Sequence, residues 1–186
     1  MNAGFATVVD RLAAPVAVLT VCHDGRTHGT TVSSLTTVSH APPLLAASLE
    51  EGSSFVHLAL VEGRFAVNVL SGGQDSVARR FADRDRPAGA AQFDGLAWRR
   101  DRYSGAPLLE GALAHYACRV RGSLLVGDHE VLLGLVVRAD VGPSGAPLLS
   151  YAGELVAGAP RRDVAHTPWV PDSSVIHPKE KEKAAL

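Results

Sequence analysis

The chain has 186 residues, of which 46% are hydrophobic and 20% charged, and its formal net charge is -1. This length and composition predict one globular domain with a real core and exclude global disorder. The near-neutral charge argues against a nucleic-acid partner, and no apolar run reaches the roughly 18–20 residues that a membrane helix needs.

The first elements predicted along the chain are a short helix and a β-hairpin. Residues 5–12 have apolar side chains at helical spacing, and Pro15 fits the end of that helix. The apolar run at 15–21 is typical of a buried strand. A turn at 23–26 follows, in which Gly25 supplies the positive φ that tight hairpins need. Residues 28–39 therefore form the second hairpin strand.

Most residues of this second strand, 28–39, carry a hydroxyl group. Thr and Val favour strands because a branched Cβ packs well on a pleated surface. A buried hydroxyl without a partner costs about 1–3 kcal/mol, so these side chains are poor material for a dry core. The stretch therefore faces either water, as a solvated edge, or a polar ligand.

The middle of the chain predicts a strand, a helix, a strand and a second helix. An apolar run at 44–49 indicates a central strand, and Ser53 or Ser54 is a suitable N-cap for a helix over 55–60 that Gly63 ends. Residues 65–70 indicate another strand. Residues 74–81 have the spacing of a second helix, with Arg79 and Arg80 near its carboxyl end, and 83–91 form a polar loop.

The last part of the chain predicts a long hairpin, a short strand and a tail. The strands are 113–125 and 131–141, with a turn at 127–129, followed by a strand at 148–151 that 153–156 extend. Many short strands without βαβ alternation predict a closed or nearly closed antiparallel barrel within one domain, residues 1–157. The Pro-rich and Lys/Glu-rich residues 158–186 predict an extended or disordered tail.

Cofactor and compartment signals are sparse. The chain has no dinucleotide fingerprint, P-loop, zinc-protease motif or nucleophile elbow. Two distant cysteines, Cys22 and Cys118, and no signal sequence indicate a reduced, cytoplasmic protein. The hydroxyl-rich strand suits a flat, heteroatom-rich ring, a helix start at Ser53 suits a phosphate, and Arg79 or Arg80 can add a charge-assisted contact. Together they indicate a mononucleotide-like ligand. Solvated arginines are the alternative for Arg79 and Arg80, and Ser53 or Ser54 can be a plain N-cap with or without a phosphate, because both use the same N–H groups.

Five motifs in order carry a resemblance to a known family. They are residues 28–39, Pro-Pro-Leu at 42–44, Arg-Phe-Ala-Val-Asn-Val-Leu at 64–70, Arg-Phe-Ala at 80–82 and Gly-Asp-His at 127–129. Over about residues 5–156 the chain resembles the short-chain flavin reductases, the reductase components of two-component flavin monooxygenases. The resemblance implies a mainly β fold, a six-stranded antiparallel split β-barrel (the FMN-binding split barrel) with short flanking helices, and a homodimer. It also implies FMN or FAD as flavin and NADH or NADPH as hydride donor.

The resemblance also implies roles for individual residues. Those along the flavin ring and ribityl chain are Thr31, Val32, Ser33, Ser34, Thr36 and Thr37. Those beside the ring or at the phosphate end are Ser48, Leu49, Ser53, Ser54 and Phe55. Further flavin contacts are Arg80 and Phe81. His129, as the catalytic residue, and Tyr151 match positions near the nicotinamide. The loop at 83–91 is longer than usual in this family, and the tail after Val156 has no counterpart.

Three functions fit these observations. The first is an NAD(P)H-dependent flavin reductase that passes reduced flavin to a partner monooxygenase by diffusion. The second is a flavin-binding redox module without reductase activity. The third is an enzyme that retains its flavin and acts on its own substrate without a partner oxygenase.

Overall fold

The computed structural model describes Val8 and residues 11–159. The predicted N-terminal helix at 5–12 lies largely outside these residues, as does the predicted tail from residue 160 onward. Over the described range the chain is mainly β, as predicted, with two α-helices and one 3₁₀ helix. No helix in that range is both long enough and apolar enough to cross a membrane.

The elements follow in chain order. The first group is β1 (Ala14–Pro15), β2 (Ala17–His23), β3 (Arg26–Val32), β4 (Thr36–His40) and β5 (Pro43–Glu50). The second group is α1 (Ser54–Glu62), β6 (Arg64–Val69), α2 (Asp75–Ala82), the 3₁₀ helix (Gly89–Phe93), β7 (Trp98–Arg100) and β8 (Pro107–Leu109). The last group is β9 (Ala114–Val126), β10 (His129–Val141), β11 (Leu148–Tyr151) and β12 (Glu154–Ala157).

The main sheet is antiparallel and has seven strands in the order β3-β2-β6-β9-β10-β5-β4. This sheet matches only in part the closed or nearly closed barrel predicted from the residues and the six-stranded split barrel that the resemblance implies. It is antiparallel as expected, but it has seven strands and its pairing is open between β3 and β4. The reason is that residues 28–39 are not one strand. The chain leaves the sheet at 33–35, so β3 pairs with β2 while β4 pairs with β5 at the far edge.

Strand β2 explains how the sheet is held together. Its residues alternate between two hydrophobic clusters, with Leu19 and Val21 on the side of α1 and Val18 on the side of α2. All of these side chains are fully buried. A strand covered on both faces needs apolar residues at every position, which accounts for the continuous apolar run in the sequence.

Two local predictions in the first half are confirmed. The β2–β3 turn has positive φ at Asp24 (48°) and Gly25 (74°), as two-residue hairpins require. Helix α1 follows Ser53 and ends at Gly63, whose left-handed conformation (φ 74°) lets its N–H donate to the Ala59 carbonyl at 2.9 Å.

The end of the described chain corrects one prediction. Residues 153–156 do not extend the preceding strand but turn back at Ala152 and Gly153, and β12 pairs antiparallel with β11. Strand β1 pairs with the other edge of β11 to complete a small three-stranded sheet.

Candidate functional site

A groove of about 490 Å³ opens where β3 and the loop after it approach the end of β5. The start of α1 and the loop after α2 complete its walls. The lining residues are Thr30, Thr31, Val32, Ser33, Ser34, Ser48, Leu49, Glu50, Glu51, Gly52, Ser53, Phe81, Ala82, Arg84, Arg86 and His129. Most of the residues singled out in the sequence are therefore brought together here, from segments up to about a hundred positions apart.

The structure does not bring six of those residues to the groove: Thr36, Thr37, Ser54, Phe55, Arg80 and Tyr151. The Phe55 ring is fully buried and packs edge-on against Phe65. Arg80 donates to the Asp94 carbonyl at 2.6 Å, and Tyr151 lies on β11 of the small sheet.

Thr36 and Thr37 are exposed on the edge strand β4, and Ser54 is the first residue of α1. Their predicted roles at a ligand stay predictions. Phe81 also lines the groove, and its fully buried ring lies against Gly29 of β3.

Strand β3 presents backbone groups to the groove. The Gly29 N–H donates to Gln92 Oε1 at 2.9 Å and the Gly29 carbonyl accepts from Arg86 Nη2 at 3.1 Å, so both groups point away from β2. Because backbone groups alternate along an antiparallel strand, those of Thr31 point the same way. The Thr31 hydroxyl is used elsewhere and donates to the Ala78 carbonyl at 2.8 Å. At Thr31 the backbone groups, rather than the hydroxyl, are therefore the ones left without a partner on β2 or α2.

The loop at 33–35 is fixed to β5 by one side chain. Ser34 Oγ donates to the Ser48 carbonyl at 2.8 Å and accepts from the Ser48 N–H at 2.9 Å. Neighbouring Ser33 is exposed and lines the same wall. The hydroxyl-rich stretch thus combines structural hydroxyls with free ones, which the sequence does not distinguish.

The start of α1 supplies the far end of the groove. Ser53 precedes the helix, but its hydroxyl makes no capping hydrogen bond. Ser53 is therefore the N-cap residue by position, and its carbonyl accepts from the His57 N–H at 3.2 Å, but it lacks the usual side-chain capping bond. The N–H groups of the first helical turn lack a side-chain cap, and such groups favour an anion.

Charged side chains lie on both walls of the groove. Arg84 Nη2 contacts both carboxylate oxygens of Glu50, at 2.6 and 2.8 Å, across an exposed part of the rim. His129, the first residue of β10, lies beside Asp128 with 2.7 Å between Nδ1 and the carboxylate. That hydrogen bond lowers the pKa of Asp128.

A neutral histidine, His28, precedes Gly29 on β3. Gln92 Oε1 accepts from Gly29, so Gln92 Nε2 is the donor in its 3.0 Å contact with His28 Nδ1. Burial, aided by the charge of Arg86, lowers the pKa of His28 to about 4. The imidazole is thus an uncharged acceptor at Nδ1 near neutral pH.

Sequence reasoning missed the arginines of the groove. Arg84 and Arg86 come from the loop after α2, which the sequence predicts only as a polar loop at 83–91. A signal was available, since both follow directly after the Arg-Phe-Ala motif at 80–82 in an alternating Asp-Arg-Asp-Arg run. Glu50, Glu51 and Gly52 were missed because they sit between a strand and a helix start without a motif of their own.

A polar groove between an edge strand and the start of a helix is typical of a site for a phosphate-bearing ligand. Residues 9–159 match the family model described as flavin reductase like domain. The chain therefore belongs to the flavin reductase family.

Individual relatives agree with this family assignment. An NADH-dependent FAD reductase of Streptomyces globisporus is 38% identical over 135 residues, which cover 73% of this chain and 74% of the relative. The reductase component of a 4-nitrophenol 4-monooxygenase/4-nitrocatechol 2-monooxygenase from Rhodococcus opacus is 32% identical and covers 94% of this chain and 90% of its own.

A solved structure has the same fold. The flavin reductase component of a bacterial two-component tryptophan halogenase superposes with a TM-score of 0.80 at 33% identity, covering 86% of this chain and 98% of that one. The similarity spans nearly the whole described range, so the groove lies within the shared fold.

Proposed function

We propose that this protein is an NAD(P)H-dependent flavin reductase that supplies reduced FMN or FAD to a partner flavin-dependent monooxygenase. The observation that carries the proposal is the groove between β3, β5 and α1. The relatives of the chain support the assignment, because they include an NADH-dependent FAD reductase and a monooxygenase reductase component.

The groove fits a flavin in shape and chemistry. A flat ring with polar edges matches the free backbone groups of Thr31 and the hydroxyl of Ser33 on one wall. Ser48 and Leu49 line the opposite wall, on β5. The uncapped start of α1 at Ser53 suits a phosphate. These residues would hold the ring along β3 and its phosphate at the helix.

The protein's part in the reaction is to position the two nucleotides. When bound, the flavin supplies the redox chemistry by accepting a hydride from the nicotinamide. The walls of the groove restrict where the two rings can lie, which favours the face-to-face approach that hydride transfer needs. His129 lines the groove with Nδ1 held by Asp128, so its Nε2 is the ring nitrogen left for a bound nucleotide.

We propose in addition that two copies of the chain assemble as a homodimer of split barrels. The support is an exposed apolar patch at the end of the β9–β10 hairpin, where Leu124, Leu125 and Val126 are 63%, 54% and 54% exposed. Such a patch is typical of an interaction surface. Light scattering on the purified protein and on Leu124→Asp tests this proposal, and a monomeric wild type would exclude it.

We further propose that the protein works in the cytoplasm as a single catalytic domain. Both cysteines, Cys22 and Cys118, are buried and free. Burial raises the pKa of the Cys118 thiol to about 12, so this residue is not a reactive thiolate. These features fit a reducing compartment and a reaction that uses no protein thiol.

The decisive experiment measures oxidation of NADH and of NADPH with FMN, FAD and riboflavin in turn. We expect rapid oxidation on addition of a free flavin, from protein that is colourless or faintly yellow after purification. Bound flavin without consumption of either pyridine nucleotide would refute the reductase function. A tightly retained yellow colour without turnover would favour the redox module instead.

A further inference from the structure

Arg86 reaches from the loop after α2 to the edge of β3. Its Nη1 donates to the Asp83 carbonyl at 2.6 Å and its Nη2 donates to the Gly29 carbonyl at 3.1 Å. Its Nε is buried and has no hydrogen-bond partner among the described residues. The side chain is therefore held at the wall of the groove by two of its five N–H groups, and its buried Nε–H has no partner among the described residues.

The charge of Arg86 is not neutralised by an ion pair in the part of the chain that the structure describes. Arg84, two residues earlier, is paired with Glu50, whereas Arg86 contacts only backbone carbonyls. Asp83 acts on Arg86 from the same loop, but partial burial outweighs this and lowers the Arg86 pKa. The charge also helps to keep His28 neutral. A partly desolvated, unpaired guanidinium attracts an anion strongly.

The positive charge lies apart from the helix start. Arg86 sits against Gly29 on the β3 wall, whereas Ser53 follows Glu50 at the end of β5, with its N–H donating to the Glu50 carbonyl at 3.1 Å. The carboxylates that line the groove, Glu50 and Glu51, are on the Ser53 side. The groove thus has two features that favour an anion, the start of α1 and Arg86, and Arg86 carries a full positive charge.

Building on the proposed function, we propose that Arg86 binds a second phosphate, so that the groove accepts the pyrophosphate of a dinucleotide. Planar guanidinium groups match phosphate oxygens in pairs, which an ammonium group does not. The pyrophosphate has two sources in this reaction, FAD and the nicotinamide dinucleotide. Arg86 would then make the protein prefer FAD to FMN, or tighten NAD(P)H, according to the source.

The test compares Arg86→Gln with Arg79→Gln, an exposed arginine in the last turn of α2 that does not line the groove. Riboflavin, FMN and FAD binding are followed by flavin fluorescence, and KM for NADH and NADPH is measured with riboflavin as acceptor. We expect Arg86→Gln to weaken FAD, or to raise KM for NAD(P)H, by about 10- to 100-fold. Riboflavin affinity stays within twofold, Arg79→Gln resembles wild type, and Arg86→Lys recovers part of the loss.

Each result has a distinct meaning. Weakening confined to FAD assigns the pyrophosphate to the flavin, and a change confined to NADH and NADPH assigns it to the hydride donor. An equal loss for riboflavin would overturn the proposal, since Arg86 would then serve only to hold β3. Unchanged dinucleotides, or equal weakening of FMN and FAD, would overturn it as well. Riboflavin binding without any NAD(P)H oxidation would refute the reductase function while leaving the phosphate assignment testable on FAD affinity.

Discussion

The hydroxyl of Ser34 makes two hydrogen bonds to the backbone of Ser48, donating to its carbonyl at 2.8 Å and accepting from its N–H at 2.9 Å. Strand β4 pairs with β5 only as far as Ala46, so Ser48 has no β4 residue opposite it. Ser34 occupies that place with a side chain. One serine thereby joins the loop after β3 to β5 and sets the distance between two walls of the groove.

Replacement of Ser34 by alanine is expected to lower the free energy of unfolding by about 1–2 kcal/mol, because two partly buried backbone groups lose their partner. Riboflavin binding should weaken as the wall loosens. Urea denaturation and fluorescence titration measure the two effects. The matched control is Ser33→Ala, since Ser33 is an exposed neighbour on the same loop and should change stability by less than about 0.5 kcal/mol. Equal stability of the two variants would contradict the role given to Ser34.

Glu50→Gln should tighten the binding of phosphate-bearing ligands. It removes a negative charge from the rim and releases Arg84, whose exposed ion pair with Glu50 contributes only about 0–1 kcal/mol to stability. We expect FMN and FAD to bind about two- to fivefold more tightly at low ionic strength, and the gain to shrink in about 1 M salt because screening is strong there. Glu154→Gln, on exposed β12, serves as the control. A similar gain for riboflavin would show that charge is not the cause.

Much of the fold follows from local sequence signals. The apolar run of β2, the Asp24–Gly25 turn and the Gly63 helix end each have a nearest-neighbour cause, and each is found as predicted. The break at 33–35 does not, because no Gly or Pro interrupts the run and the same β-branched and hydroxyl residues suit a continuous strand. The partner that stabilises the break, Ser48, is fourteen positions away.

The site is less predictable than the fold for the same reason. Whether a hydroxyl is free or bound depends on partners distant in sequence, as for Thr31 with Ala78, 47 positions later. Arg86 resembles any loop arginine until the structure places it on Gly29. The family resemblance supplied most of the groove residues, but it did not supply Arg84 and Arg86, which come from the loop after α2.

Gly29→Ala should destabilise the protein. A Cβ at this position would lie 2.6 Å from Phe81 Cε1 and 3.3 Å from Phe93 Cζ, and both rings are buried. Overpacking of this kind costs about 1–3 kcal/mol. Gly73→Ala is the control, because a Cβ added there would have no heavy atom within 4 Å and the φ of Gly73 is not positive. Urea denaturation of both variants measures the difference. Equal denaturation midpoints would show that the Phe81 and Phe93 rings move aside without cost.

The buried His28 should make stability fall with acidification. Its pKa is lowered to about 4 in the folded protein, against about 6.5 in an unfolded chain, so the unfolded state binds the proton more readily between these values. Protonation of His28 therefore leaves the free energy of unfolding unchanged above about pH 6.5 and lowers it as the pH falls towards 4. Since the ring is only partly buried, solvent screening limits the loss to about 1–2 kcal/mol.

The measurement for His28 is chemical denaturation from pH 7.5 to 4, compared with His28→Gln. The variant retains a polar side chain but has no group that titrates at this position. We expect its stability to decline less than that of wild type over this interval, by the same 1–2 kcal/mol or so. Parallel pH profiles would mean that His28 is protonated normally in the folded protein.

His129→Ala should lower turnover more than flavin affinity. His129 lies on the groove rim as the first residue of β10, and its Nδ1 is 2.7 Å from the Asp128 carboxylate, which fixes the orientation of the ring. The variant removes a contact proposed for the nicotinamide but leaves the β3 backbone groups and the start of α1 in place. We expect kcat/KM for NADH or NADPH to fall about 10- to 100-fold, while riboflavin affinity changes less than about threefold. Asp128→Asn, which keeps the ring but removes the charge that orients it, should give an intermediate loss. A larger loss of flavin affinity than of turnover would place His129 at the flavin instead of the hydride donor.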